Sequence, residues 1–251
     1  MTPTARNWTS AVPGADCKGS QLLKALSELG FDQYYQAEQK GWVLYLENTT
    51  DMDILRVFAQ TLDHPAQRHL ADPFLHPVAT NLPQRARDHF CGLLEAKEDL
   101  VGVAIFDRIE KELRTGTPLV ETMWRKREIE NHLCSQDVLE RYAESGLSDD
   151  LFGRAERSHI EAMRSSIVEV ARALETLNKP NPWSPDIKVT DDFLDPLFKS
   201  FSAKLGLPLV LRKNEYFKLA RFVSKRSIDA DVSAKLDAIA EVAAKARPAL
   251  A

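Results

Sequence analysis

Two short, uninterrupted apolar runs constrain this chain more than any other feature. They are Trp42-Val43-Leu44-Tyr45-Leu46 and Leu100-Val101-Gly102-Val103-Ala104-Ile105-Phe106. A strand with one face in water alternates apolar and polar residues. A run that does not alternate fits a strand buried on both faces, as in a parallel sheet covered by helices. Directly after the first run, Ile54, Leu55, Phe58, Ala59 and Leu62 fall on one helical face, with Thr50 or Asp51 as the expected cap. Phe74 to Thr80 reads as a second, shorter strand, and Ala86, Phe90, Leu93 and Leu94 mark the helix after it. Strand, helix, strand, helix, strand predicts an α/β fold with a parallel sheet flanked by helices.

The remaining chain divides around that core. Residues 1–17 read as a loose lead-in, and Leu22, Leu23, Ala25, Leu26 and Leu29 form a helical stripe that Gly30 ends. Residues 1–40 are thus a lead-in with one helix, and 41–145 the α/β core, closed by an extended stretch from Leu119 to Trp124. Apolar positions from Leu151 to Leu177 describe one long helix, and three prolines among the nine residues 178–186 break it. A short helix follows at Pro196 with Asp195 as cap, so 146–206 reads as a helical insertion. Leu207 to Leu211 reads as a last core strand, and helices near Glu215–Val223 and Val232–Ala246 complete a helical C-terminal region, 207–251.

Composition narrows the function classes. The chain has 251 residues, 33 basic and 37 acidic side chains and a formal charge of −4, which does not suit a protein that coats nucleic acid. The charge is uneven, however: between Ala203 and Arg226 seven basic residues face one acid, Glu215. No apolar run approaches the roughly 18 residues a membrane helix needs, so no membrane partner is expected. Three cysteines without CxxC spacing point to neither a disulfide framework nor a zinc site, and six histidines show no HExxH or HxxxH spacing. A cytoplasmic protein is the simplest expectation.

Chemistry in parallel sheets collects at the carboxyl ends of the strands. Glu47 and Asp107 take that place on two different strands; Asp51 and Glu110 follow one turn behind, and Glu128 and Glu130 alternate after the Leu119–Trp124 stretch. Each acid alone reads as a cap or a surface ion-pair partner. Together they form an oxygen-donor set suited to Mg²⁺ or Mn²⁺. The strand ends carry no glycine-rich loop, which counts against a nucleotide-dependent phosphoryl-transfer enzyme.

A family resemblance sharpens this. Val43 to Arg56 resembles the first motif of the Toprim domain, a glutamate after a hydrophobic strand with an acid four positions on, and Val101 to Asp107 resembles its aspartate-bearing strand. Arg125-Lys126-Arg127-Glu128-Ile129-Glu130-Asn131-His132-Leu133 closely resembles the RREIENYL signature of the Toprim nuclease region in the OLD (overcoming lysogenization defect) family, whose relatives include antiphage systems such as Gabija. The resemblance covers about residues 18–245 and implies a Toprim-like fold and a Mg²⁺-dependent (or Mn²⁺-dependent) DNA endonuclease or nickase.

By position, the resemblance implies Glu47 as metal ligand and acid/base, and Asp51, Asp107, Glu128 and Glu130 as further ligands. It implies a late lysine near the scissile phosphate, for which Lys213 is the candidate; on such a nuclease the basic residues Arg85, Arg87, Arg125, Arg127, Arg212, Lys213 and Lys218 are the expected DNA contacts. Two positions depart from the pattern: Asn48 stands where glycine is usual, and Ile109 stands at the second acid of DxD, with Glu110 as the nearest stand-in. No GxxxxGK[ST] motif occurs in the sequence, so the resemblance implies either a separate ABC-type ATPase subunit as partner or a split or truncated remnant of such a protein, with a homodimer also open to the chain. The rival expectation is a degenerate Toprim module that binds such an ATPase, or DNA, without cutting.

Overall fold

The computed structural model describes residues 30–145 and 154–249. Within them the chain forms an α/β fold: four parallel strands in the order β2-β1-β3-β4 with helices on both faces. Helix α1 (Phe31–Lys40) leads into β1 (Trp42–Leu46), α2 (Thr49–Leu62), the short α3 (Gln67–Leu70) and β2 (Phe74–Pro77). Then come α4 (Pro83–Leu94), β3 (Val101–Phe106) and β4 (Leu119–Met123). Helices α5 (Gln136–Ser145), α6 (Arg154–Thr176), α7 (Asp195–Leu205) and α8 (Ala230–Ala243) complete the chain, with 3₁₀ turns at Ile129–His132 and Lys213–Phe222.

The unbroken apolar runs are central strands because both of their faces are covered. Trp42, Leu44 and Leu46 of β1, with Val103 and Ile105 of β3, pack into a core built with α2, α5, α6, α7 and α8. Val43 and Tyr45, with Ala104 and Phe106, pack into a second core with Ala86, Phe90 and Leu93 of α4. Between α1 and β1 the backbone turns at Gly41, where φ is +67° and a Cβ would lie 2.7 Å from the Arg247 carbonyl carbon. Only glycine lets the C-terminal run cross there.

Several expectations change. Leu207–Leu211 is not a strand: Pro208 has no N–H to offer a ladder, Leu207 and Leu209 are exposed, and the segment is instead tied back to Ser202 of α7. Among the described residues 207–249 there is therefore no core strand, but α8 packs directly on β1, β3 and β4. Residues 158–206, within the expected helical insertion, share one continuous core with the sheet. The stripe at Leu22–Leu29 and the start of the long helix at Leu151 lie outside the described residues. Cys134 is a free thiol. No described helix is long and apolar enough to cross a membrane.

Candidate active site

From β1 the chain crosses to β2 on one side, and from β3 to β4 on the other, so the strand order reverses between β1 and β3. At such a switch point the connecting loops part and leave a crevice at the carboxyl ends of the strands. Glu47 and Asp107 follow β1 and β3 directly into it.

Other segments bring further carboxyls to the same place. Asn48 is the N-cap of α2, and Asp51, at the third helical position, accepts the Asn48 backbone N–H at 3.2 Å. The cap is thus Asn48 and not Thr50 or Asp51 as expected, because the helix begins at Thr49, and Asp51 is buried in its first turn. After β4, Glu128 is extended and Glu130 lies in the 3₁₀ turn; they do not alternate along a strand. Glu128 Oε1 accepts the Thr190 N–H at 2.6 Å. Asn131 holds the segment in place: its Oδ1 accepts the Glu128 N–H at 3.0 Å, and its Nδ2 donates to Ser184 O at 3.3 Å and Ile187 O at 3.1 Å. Asn81, in the loop after β2, grips Asp107, donating to its Oδ2 at 3.2 Å and accepting its N–H at 3.1 Å.

These carboxyls repel one another in a desolvated setting. Burial, then Glu47 and Glu128, push Asp51 up to about 7. Burial, then Asp51, Glu128 and Glu47, push Glu130 up to about 8. Asp107 is pushed well above the carboxylate range by burial, by Glu47 and Glu130, and by a hydrogen bond shared with Glu47. Glu128 is raised by burial, against the opposing Thr190 bonds and Lys188. Five carboxyls from three segments therefore act on one another without enough positive charge to balance them. Among the described residues, no three Asp, Glu, His or Cys side chains already converge closely enough to hold a metal ion. The donor set fits a hard divalent cation by its chemistry, all oxygen and net negative.

The other expected residues separate. Glu110 is exposed, and the carboxylates acting on Asp107 are Glu47 and Glu130. Lys213 is exposed and ion-paired with Asp191. The lysine whose charge acts on Glu128 and Glu47 is Lys188, which also pairs with Asp191 at 2.6 Å. Arg87 is committed to a two-pronged pair with buried Glu121, both bonds 2.6 Å, and is not available to DNA. Lys218 pairs with Glu215, whereas Arg85, Arg125, Arg127 and Arg212 are exposed. Asn81, Lys188, Thr190 and Asp191 escaped the sequence reading; Asn81 alone left a trace, as a polar residue at the carboxyl end of a predicted strand. Compared with known proteins, the chain matches no family model, no curated protein and no solved structure.

Proposed function

We propose that this chain is a metal-dependent DNA endonuclease or nickase of Toprim type, hydrolysing phosphodiesters. One observation carries the reading: five mutually repelling carboxyls, Glu47, Asp51, Asp107, Glu128 and Glu130, gathered at the β1/β3 switch point. Raised carboxyl pKa values are costly in the absence of a cation, and such clusters mark functional sites. Those five residues would hold Mg²⁺ or Mn²⁺, which when bound lowers the pKa of water and neutralises phosphate charge. Asn81 fixes the Asp107 carboxyl, and Glu47, whose charge acts on Asp107, would take a proton from the attacking water. Lys188 and Lys213, both resting on Asp191 at the rim, would transfer to the phosphate when it enters. The resemblance to OLD nucleases adds an ABC-type ATPase partner to the proposal.

The test is plasmid nicking in Mg²⁺ or Mn²⁺ by the wild type and by Asp107→Ala. Metal-dependent cutting that Asp107→Ala abolishes is expected; equal cutting by both would remove the site assignment. A second reading, a non-cutting module that binds an ATPase or DNA, is favoured by the exposed position of Glu110, which leaves the place of the second DxD acid unfilled. It predicts metal-induced thermal stabilisation without cleavage.

A further inference from the structure

A loop hydrogen-bonded to the segment that bears Glu128 and Glu130 carries an exposed tryptophan. Trp42 and Trp124 are buried, but Trp183 leaves 41 % of its surface in solvent. It sits in the run Pro180-Asn181-Pro182-Trp183-Ser184-Pro185, where three prolines restrict the backbone. The loop is also fastened. Asn181 Oδ1 accepts the Trp183 N–H at 2.9 Å, Pro185 O accepts the Arg127 N–H at 2.8 Å, and Ser184 O and Ile187 O accept the Asn131 side chain. Arg127 and Asn131 flank Glu128 and Glu130, so the loop that presents Trp183 is bolted to the acid-bearing segment. One edge of the indole rests on buried Phe193, ring centroids 5.5 Å apart, at 72°. Nearby, Arg125 and Arg127 are exposed, and Arg127 has no side-chain partner among the described residues.

A rigid, half-exposed indole beside the unengaged Arg127 guanidinium, with exposed Arg125 only loosely paired to Asp231 at 3.8 Å, is the arrangement that stacks a nucleobase while cations track the backbone. A base inside a duplex offers no free face. We infer that Trp183 stacks an unpaired base next to the scissile phosphate, so that the substrate is DNA with single-stranded character at the cut: a single strand, a flap or a frayed end. The inference rests on the nuclease reading for its substrate, and it names a residue outside the catalytic cluster.

The test measures binding of fluorescein-labelled oligo-thymidine, and of a blunt duplex of the same length, to the full chain in millimolar Ca²⁺. Wild type, Trp183→Phe and Trp183→Ala are compared, with melting temperatures as the folding control. The single strand should bind more tightly than the duplex. Trp183→Ala should weaken single-strand binding about tenfold while changing duplex binding less than about twofold, and Trp183→Phe should recover most of the loss. Equal single-strand binding by Trp183→Ala and wild type overturns the inference, as does a duplex preference or no DNA binding. So does a Trp183→Ala loss that Trp183→Phe fails to recover. Nicking abolished by Asp107→Ala together with a neutral Trp183→Ala would leave the nuclease reading standing and this inference fallen. Trp183-dependent single-strand binding without any cleavage would do the reverse.

Discussion

Replacing Glu130 by glutamine should stabilise the metal-free protein at neutral and alkaline pH. Below about pH 4 this carboxyl is protonated in the folded and unfolded chains alike, and its burial costs nothing extra. As the pH rises, the unfolded chain releases the proton at its ordinary pKa near 4.5, while the folded chain holds it until about 8. The folded state thus binds more protons, and stability falls as pH climbs through that window. At pH 7.5 the span is about 3 units, a ceiling of about 4 kcal/mol at 1.36 kcal/mol per unit. The neighbouring Asp51, Glu128 and Glu47 share the load. One substitution should therefore recover about 1–2 kcal/mol. For a chain of this length that is a rise of about 3–6 °C in Tm. The assay is thermal unfolding of wild type and Glu130→Gln in EDTA at pH 4, 6 and 8, then with Mg²⁺. The gain should be absent at pH 4, largest at pH 8, and reduced by Mg²⁺, which stabilises the wild type more than the variant. A variant that is less stable at pH 8, or a gain that ignores pH, would refute the electrostatic argument.

Further outcomes follow from named contacts. Lys188→Ala should lower plasmid cleavage at least about tenfold with little change in Tm, and Lys213→Ala should lower it less, because Lys188 is the lysine felt by Glu128 and Glu47. Arg87→Ala should cost about 3–4 kcal/mol in urea unfolding, since it strands a Glu121 side chain only 1 % exposed; Arg87→Ala combined with Glu121→Gln should cost less. His132, held down to about 4 chiefly by burial, is neutral in the fold. Its contribution to stability is complete above the free value near 6.5 and is lost as pH falls toward 4, so His132→Leu should flatten the acid limb of stability measured in urea. Gly41→Ala should cost about 2 kcal/mol in urea unfolding and expose the C-terminal run to protease, because its backbone is left-handed and Arg247 occupies the Cβ position.

The fold was legible where one physical cause dominates. Trp42–Leu46 is the observed β1 residue for residue, because a strand covered on both faces has no polar positions to confuse its limits. Leu207–Leu211 shows the failure of the same signal: five residues of the right composition, one of them a proline, without sheet neighbours to pair with. Of the candidate site, the placing of Glu47 and Asp107 after β1 and β3 was legible in the two apolar runs that precede them. Lys188 was not, because a lysine just past a proline-rich break carries no local sign of the charges it faces. Its position depends on Asn131 gripping carbonyls more than fifty residues away, a long-range closure that periodicity cannot report. Lys213 was a natural choice from the basic patch, yet the fold sets it on Asp191, one ion pair away from the acids.

The crossing of the C-terminal run over Gly41 also bears on how the protein can be handled. That run lies at the amino end of β1, where the Ala249 N–H is held by Glu38 O at 2.8 Å. The carboxyls stand at the other end of the same 5-residue strand. At about 3.3 Å per residue the two ends are about 16 Å apart. A tether joined to the side chain at Arg247→Cys or Ala249→Cys, on a resin or a sensor chip, would therefore hold the molecule by its base and leave the crevice facing the flowing solution.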